Sequence, residues 1–405
     1  MTAADSDTRT AAADRPLRIL RVVHTLRGAS GGPAESVRRS TETMLAQGHQ
    51  VEIATLDGRG SISADEPLTV HALGNGAEAI GYASTPHLVP WLRSEKTRFD
   101  AVLVHGLWQY QGWGTHIALK GTAIPYLVFP HGMLDPWFRR TYPLKHLKKQ
   151  IYWKVREGRV LAGAAAVCFT CDEERRLARD SFRPYRINER VVAYGTADSI
   201  YDPERQSAVW ARSCPAAQVR PYLLFLGRLH PKKNIEALLH AHGQIAARNP
   251  FAPDLVIAGP GLETSYGQSL LQLACSICRQ GTVHWPGMLE NEAKWGALSG
   301  CEAFVLPSHQ ENFGIAVAEA LACSRPVLIS NQVNIWREIE TDGAGLVRGD
   351  SPEDVLALLN AWMTVQPAKR EEMKTAARRC FETRFHINKA TESLVATVRE
   401  TLCTK

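Results

Sequence analysis

The chain alternates between short apolar runs of strand length and longer segments whose apolar residues recur with the period of a helix. The first half opens on the apolar run Leu17–Thr25, which a glycine-rich turn separates from a predicted helix over Ala34–Gln47. The further predicted strands of this half are His49–Leu56, Leu68–Leu73, Asp100–His105, Pro125–Phe129, Ala164–Thr170 and Arg190–Ala193. Helix-patterned segments separate most of them, which indicates parallel β-α-β units, because parallel strands need crossover connections.

The second half repeats this alternation after a break. Residues 199–220 include Pro203 and Pro215 and show no clear period, so we expect an irregular interdomain linker there. The predicted strands beyond it are Pro221–Leu226, Asp254–Ala258, Gly281–Trp285, Ala303–Leu306, Pro326–Ser330 and Gly345–Val347. The main predicted helices are Asn234–Arg248, Glu290–Ser299, Ile315–Ala322, Pro352–Met363, Ala368–Arg384 and Asn388–Leu402. The pattern predicts two doubly wound α/β domains with a cleft between them, where the carboxyl ends of the strands would bind a ligand.

Length and composition agree with two domains and narrow the function. The 405 residues suit two domains of roughly 200 residues each. The net charge of +6 is modest for this length and argues against a nucleic-acid partner, which would require a denser basic patch. Residues 1–16 are mostly small and polar and predict a disordered tail. Because no apolar run approaches the roughly 20 residues of a membrane span, we expect a cytoplasmic protein.

The nine cysteines do not form the pattern of a disulfide framework, since their number is odd and they are scattered over a long chain. Two pairs have C-x-x-C spacing. Cys168 and Cys171 lie in or beside a predicted strand, and Cys275 and Cys278 lie in a helical pattern. Neither pair follows the turn that normally presents zinc ligands, so we expect these cysteines to pack in the structure and predict no metal site.

The segment SHQENFGIAVAEA, residues 308–320, is the strongest candidate site. Glu311 precedes the predicted helix and Glu319 lies two turns inside it, which separates the two by roughly 12 Å. Glycosidase carboxylates lie only about 5–9.5 Å apart. The wider spacing suits two ends of one elongated ligand, with the helix N-terminus between them offering N–H groups to a phosphate. A capped helix with two solvent-facing acids would carry the same residues.

The second candidate is GRLHPKKN, residues 227–234, directly after the first strand of the second half. Arg228 offers a planar fork and Lys233 a compact charge, a combination that suits a diphosphate. Asn234 is placed to act as the N-cap of the following helix. The alternative is a solvated basic loop.

Two weaker candidates follow strands of the first half. Gly31 and Gly32 would allow the backbone to approach a ligand closely at the start of a helix, although an ordinary tight turn needs the same glycines. His131, in the segment FPHGM, would bind a sugar hydroxyl or share a proton at a cleft edge. A structural histidine is the alternative.

Taken together, these segments resemble glycosyltransferase family 4, the retaining enzymes of GT-B fold, over about residues 17–390. The resemblance is carried by E-x(7)-E, from Glu311 to Glu319, and by G-R-x-x-x-x-K, from Gly227 to Lys233. The segment HGMLDPW at residues 131–137 resembles a bacterial surface-polysaccharide subgroup more narrowly. One departure from the family is Cys171, which stands where the family has serine or threonine.

The resemblance implies a GT-B fold of two Rossmann-like domains. Residues 17–200 would form the acceptor-side domain and residues 201–385 the domain that binds the nucleotide sugar. Residues 386–405 would form a C-terminal helix that packs back on the N-terminal domain.

The same resemblance implies roles for individual residues. Arg228 and Lys233 would hold the donor diphosphate and neutralise the departing charge. Glu311 would contact the sugar hydroxyls, Glu319 the ribose, and His131 the sugar near its reacting carbon. The implied catalytic residues are His131, Arg228, Lys233 and Glu311. The implied donor-binding residues are Gly31, Gly32, Arg228, Lys233, Glu311, Asn312, Phe313, Gly314, Ile315 and Glu319. The resemblance implies no metal or other cofactor, because Arg228 and Lys233 would neutralise the diphosphate of a UDP-, GDP- or ADP-sugar in place of a metal ion.

A basic segment, residues 137–160, carries eight lysines or arginines against a single acid. On a helix, Leu144, Leu147, Ile151 and Val155 fall on one side, and aromatic residues flank them. This composition suits docking on anionic lipid headgroups at the inner face of the cytoplasmic membrane. A core helix with a solvated basic face explains it equally well.

We therefore expect a retaining, metal-independent hexosyltransferase that acts on a glycan or lipid-linked acceptor in bacterial exopolysaccharide or cell-surface polysaccharide synthesis. Two alternatives stay open. One is a family member with a small soluble acceptor, and the other is a non-catalytic nucleotide-sugar-binding homologue.

Overall fold

The computed structural model describes residues 15–27, 32–63, 65–76, 79, 81–198 and 202–403. Most of the predicted tail, and Gly31 among the candidate residues, therefore lie outside the described residues. The chain divides into two compact units. Unit 1 comprises Met1–Tyr194 and Ile387–Lys405, and unit 2 comprises Gly195–His386.

Unit 1 is built on a parallel sheet, which has seven strands in the described part of the chain, in the order β3-β2-β1-β4-β5-β6-β7. The strands are β1 (Arg18–Val23), β2 (Gln50–Thr55), β3 (Val70–Ala72), β4 (Ala101–His105), β5 (Tyr126–Phe129), β6 (Ala166–Phe169) and β7 (Glu189–Val191). The helices are Gly32–Ala46, Leu88–Glu95, Tyr110–Leu119, Trp137–Thr141, Pro143–Tyr152, Gly158–Gly163, Asp172–Ala178 and Ile387–Cys403. A π-helical turn, Trp153–Glu157, follows the fifth of them.

The sheet of unit 1 is covered on both faces, as its continuous apolar strands require. All five residues of β4 are buried. One core contains Val102 and Val104, and the other contains Leu103. The C-terminal helix Ile387–Cys403 contributes Leu394 and Val398 to the second core. The end of the chain is therefore part of unit 1.

Unit 2 has a second parallel sheet, of six strands among the described residues, in the order β10-β9-β8-β11-β12-β13. The strands are β8 (Tyr222–Leu226), β9 (Asp254–Ala258), β10 (Val283–Gly287), β11 (Ala303–Leu306), β12 (Val327–Ser330) and β13 (Gly345–Arg348). The helices are Pro203–Ser213, Ile235–Arg248, Ser265–Ile277, Asn291–Gly300, Ile315–Ala322, Trp336–Thr341, Pro352–Thr364 and Pro367–Cys380. Both strand orders are those of doubly wound Rossmann sheets, which confirms the predicted fold class.

The prediction of an irregular linker over residues 199–220 is wrong for most of its length. Pro203–Ser213 is a helix that packs on Asn291–Gly300, and Trp210 is fully buried. Pro203 occupies the first turn of the helix, where its missing N–H would have no intrahelical partner in any case. The Asp202 carboxylate caps the helix by accepting from the Arg205 backbone N–H at 3.0 Å. The prolines here begin structure rather than prevent it.

Candidate functional site

The carboxyl ends of β8 and β11 lie side by side at the point where the strand order of unit 2 reverses. Open α/β sheets bind their ligands at this point. The loop after β8 carries Lys233 and the loop after β11 carries Glu311. The Lys233 ammonium and the Glu311 carboxylate form an ion pair, and both side chains are mostly buried. Two predicted site residues that are 78 positions apart are thus brought into contact.

Arg228 lies on the same strand-end loop and is exposed. Its guanidinium makes no ion pair or hydrogen bond with any residue in the described part of the chain. The site therefore combines a cation that is already paired, Lys233, with one that is available to an anion. A diphosphate is such an anion, because its oxygens accept from both the planar fork and the point charge.

Contacts among the loops fix the position of Lys233. Asn234 has the left-handed φ of +58°, and its side-chain amide donates to the Pro307 carbonyl at 3.2 Å and the Asp350 carbonyl at 2.8 Å. The His309 backbone N–H donates to the Lys232 carbonyl at 2.8 Å. Asn234 occupies the predicted N-cap position, but its side chain makes no cap hydrogen bond and instead joins the loops after β11 and β13 to its own.

Backbone hydrogen bonds to the loop after β12 hold the loop that carries Glu311. The Glu311 N–H donates to the Gln332 carbonyl at 3.0 Å, and its carbonyl accepts from the Asn334 N–H at 3.0 Å. Gly314 has φ +74° directly before the helix Ile315–Ala322, a conformation that favours glycine. The Phe313 side chain is buried against Phe385 at 5.5 Å between ring centroids, so only its backbone is available to a ligand.

Three further predicted residues complete this helix start. The Asn312 side chain accepts from the Asn334 amide at 3.4 Å, and Ile315 is the first helical residue and half-buried. Glu319 is 5% exposed and lies in the second turn of the helix Ile315–Ala322. The Lys294 ammonium, from the helix Asn291–Gly300, donates to the Glu319 carboxylate at 2.7 Å. Lys294 is a site residue that the sequence analysis missed, because no pattern indicates which face of its helix meets Glu319.

In unit 1, His131 follows β5 and has φ +51°. Its Nε2 lies 3.0 Å from Nδ1 of His105, the last residue of β4, and the two rings stack. Burial, together with the buried Arg21 guanidinium, lowers the pKa of His131 to about 4, and burial also lowers that of His105. Both rings are therefore neutral at pH 7, and one donates to the other.

The tautomer follows from the surroundings of His105. Its Nε2 is buried and has no hydrogen-bond partner among the described residues. A buried N–H without an acceptor is rarer in proteins than an acceptor without a donor. The proton of His105 is therefore best placed on Nδ1, donating to Nε2 of His131. His131 then carries its own proton on Nδ1, as a hydrogen-bond donor.

A buried carboxylate that sequence reasoning also missed holds the loop of His131. Glu174, 3% exposed, accepts from the Gly132 backbone N–H at 2.6 Å and from the Thr170 N–H and hydroxyl, each at 2.7 Å. Cys171 caps the helix Asp172–Ala178 by accepting from the Glu174 N–H at 3.4 Å, a distance suited to sulfur. The cysteine thus takes the capping place that serine or threonine would have. Gly32 is the first residue of the helix Gly32–Ala46.

The basic segment exposes its apolar side. On the helix Pro143–Tyr152 and the turn after it, Leu144 is 84% exposed, Leu147 60%, Ile151 61% and Val155 52%. We call these four residues the apolar ridge. Single exposed apolar residues are ordinary, but a row of four on one helix is not. The interpretation of this segment as a core helix is therefore wrong for its apolar side.

Within the described residues, no group of three or more histidine, cysteine or acidic side chains is arranged to hold a metal ion. Cys168 and Cys171 are buried, whereas Cys275 is exposed and Cys278 half-buried. Among the helices that the structure describes, none combines the length and the apolar composition needed to cross a membrane.

Comparison with known families places both halves of the chain. Residues 31–195 match the family described as Glycosyl transferase 4-like domain, and residues 210–380 match Glycosyl transferases group 1. A D-inositol 3-phosphate glycosyltransferase from Geodermatophilus obscurus is 30% identical over 239 residues, which cover 57% of this chain and 51% of that protein. The O-antigen chain mannosyltransferase B of Escherichia coli is 33% identical over 138 residues, 34% of each chain. The chain thus spans about half or less of the length of these curated relatives.

Solved structures show the same fold at low identity. Sucrose-phosphate synthase from Thermosynechococcus elongatus superposes with a TM-score of 0.77 at 19% identity, over 96% of this chain and 100% of that one. Anabaena Alr3699/HepE, in complex with UDP and glucose, gives a TM-score of 0.73 at 14% identity, over 95% and 100%. The protein has the GT-B fold, and its two halves are similar to the glycosyl transferase 4-like and group 1 glycosyl transferase families.

Proposed function

We propose that the protein is a retaining glycosyltransferase that moves a hexose from a nucleotide diphosphate sugar to an acceptor hydroxyl. The observation that carries the proposal is the Lys233–Glu311 pair beside the unpaired Arg228, at the switch point of the sheet in unit 2. Two cations there would bind the diphosphate, and a carboxylate already fixed by one of them would accept from sugar hydroxyls. The names of the relatives and the complexes of HepE with UDP support a nucleotide sugar as the donor.

In the proposed reaction, the bond between the anomeric carbon and the diphosphate oxygen breaks while the acceptor oxygen attacks from the same face. The acceptor proton passes to the departing phosphate oxygen. Arg228 and Lys233 would stabilise the charge that develops on the diphosphate, which requires preorganised cations rather than a strong base or a metal ion. His131, as an Nδ1–H donor, would orient the sugar.

The proposed acceptor is a lipid-linked saccharide of a bacterial surface or extracellular polysaccharide, reached at the inner face of the cytoplasmic membrane. The apolar ridge, flanked by lysines, supports this because such a helix lies in the headgroup layer of anionic membranes. Leu147→Asp should abolish co-sedimentation with anionic vesicles at low salt, while Val219→Asp, at an 81% exposed position in unit 2, should leave it unchanged. Equal binding by both variants would contradict membrane docking through the ridge.

Thermal unfolding against a panel of nucleoside diphosphates and their sugar conjugates tests the donor site. A ligand at a hundred times its dissociation constant adds about 2.7 kcal/mol, a shift of several degrees. We expect one nucleotide to stabilise the protein and Arg228→Ala to remove the shift. The absence of a thermal shift with every nucleotide of the panel would contradict the proposal.

A small soluble acceptor is the second candidate, because several relatives are named for D-inositol 3-phosphate. Transfer to a free acceptor in the absence of vesicles, at the same rate as in their presence, would favour it. A non-catalytic binder would show the nucleotide shift without transfer to any acceptor.

A further inference from the structure

The helix Pro143–Tyr152 has a second face, which covers a cavity in unit 1. Tyr142, Lys145, His146 and Lys149, at the i, i+3, i+4 and i+7 spacing of one helix side, line this cavity of about 210 Å³. They lie opposite the apolar ridge. Sites for whole drug-sized ligands measure about 300–1,000 Å³, so this cavity suits a head group rather than a saccharide or a complete lipid.

Lys149 is the unusual member of this lining. Its ammonium lies 4.6 Å from the ring centre of Trp108 and 5.7 Å from that of Phe138, and burial lowers its pKa. No carboxylate of the described residues lies within ion-pair distance of it. The nearby Glu157 is fully buried, and burial raises its pKa to about 8, so it is mainly uncharged at pH 7. A half-buried cation is thus left without an anion.

The rest of the cavity lining is also mainly positive, and part of its wall is apolar. Arg139 and Lys145 are cations, whereas Asp135 is the one acid of the lining residues. The Arg139 guanidinium donates to the Asp180 carbonyl at 3.1 Å, which leaves other N–H groups for a ligand. Phe138, Phe182 and Met133 supply apolar surface. An anion attached to an apolar group satisfies both features.

We propose that this cavity binds the phosphate or diphosphate of the lipid-linked acceptor, with the first carbons of the lipid chain against Phe138 and Phe182. The inference rests on the proposed function for the identity of the ligand. Met133 lies in the cavity wall two residues after His131, so the cavity adjoins the loop of the candidate site in unit 1. A helix is about 10–12 Å across. With the apolar ridge at the lipid interface, the cavity on the opposite side would lie at the depth of headgroup phosphates.

Binding of monomeric dodecyl phosphate, followed by isothermal titration calorimetry, tests the cavity directly. We expect Lys149→Gln to weaken binding about tenfold to a hundredfold, because it removes a charge-assisted hydrogen bond. The matched control Lys148→Gln changes the exposed neighbour and should bind within about twofold of wild type. Lys149→Arg restores the charge and should recover most of the affinity, which excludes misfolding as the cause. Equal effects at both positions, or equal binding of uncharged dodecyl maltoside, would overturn the proposal.

Two further measurements distinguish the acceptor from bulk lipid as the source of the phosphate, and distinguish this proposal from the proposed function. Vesicles of anionic phospholipid should co-sediment Lys149→Gln as they do Lys148→Gln. A loss specific to Lys149→Gln would mean that bulk headgroups, and not the acceptor, occupy the cavity. Nucleotide-induced thermal shifts should be the same in all three variants. If no nucleotide stabilises even the wild type, the proposed function fails, while the dodecyl phosphate result still decides whether the cavity binds a lipid phosphate.

Discussion

Replacing Glu157 with glutamine should stabilise the protein, but only above the pH at which an unfolded glutamate ionises. Glu157 is fully buried in the π-helical turn, and neither of its oxygens accepts a hydrogen bond of ordinary geometry from the described residues. Burial raises its pKa from 4.5 to about 8, against smaller opposing effects of the Trp108 backbone and Lys149. The folded protein therefore retains this proton where the unfolded chain has lost it.

The sign and size follow from this difference. Below pH 4.5 the carboxyl group is uncharged in both states and the mutation removes no ionisation penalty. Between pH 4.5 and about 8, ionisation of Glu157 in the unfolded chain increasingly favours the unfolded state of the wild type. Above about pH 8, this lowers the free energy of unfolding by on the order of 4 kcal/mol. For a unit of about 200 residues, 1 kcal/mol corresponds to roughly 2–4 °C. Glu157→Gln should thus raise Tm by about 8–16 °C at pH 8.5 and by only about 2 °C at pH 5.

Differential scanning calorimetry of both proteins at pH 5 and pH 8.5 measures this effect. An equal gain at both pH values would mean that the change in packing, and not ionisation, stabilises the variant. A loss of stability at pH 8.5 would mean that Glu157 is ionised and paired with Lys149. That result would also remove the argument that Lys149 lacks an anion.

Three further predictions concern the candidate site. Glu311→Gln should reduce kcat by about a hundredfold or more while the nucleotide-induced thermal shift remains, since the residue would act on the sugar rather than on the diphosphate; an unchanged kcat would remove it from the mechanism. Lys294→Met should lower Tm by about 6–12 °C because it leaves the Glu319 carboxylate buried without its cation, and Glu319→Gln in the same chain should restore most of the loss; additive losses in the double variant would refute the coupling. An NMR titration of His131 should show no inflection between pH 5 and 8, since burial and Arg21 lower its pKa to about 4; a midpoint near 6.5 would contradict the buried neutral ring.

Predictions from the sequence were wrong where one residue type is compatible with two different local structures. Pro203 and Pro215 suggested a linker because proline interrupts a helix, yet each stands in the first turn of a helical segment. Asn234 suits an N-cap, but its donors are used by carbonyls 73 and 116 positions away. The apolar ridge has the pattern of a buried helix face, and the pattern does not indicate whether anything covers it.

The sequence by itself determined most of the elements and the positions of the candidate motifs along the chain. Continuous apolar runs of strand length that alternate with helical patterns are typical of the buried strands of a parallel sheet, and each candidate motif follows such a run. The helix Ile315–Ala322 has the bounds that its pattern predicts. Strand order then places the ends of β8 and β11 together, because parallel strands present their carboxyl ends at one edge.

Only the tertiary structure decided which side chains meet. Lys233 pairs with Glu311 across 78 positions, Lys294 with Glu319 across 25, and Gly132 with Glu174 across 42. Each contact depends on the angle at which a loop leaves its strand or on the face that a helix turns towards the sheet. These angles are set by packing of the whole unit rather than by the local period of the sequence. The candidate site residues are therefore recognisable in the sequence, whereas the partners that hold them in place are not.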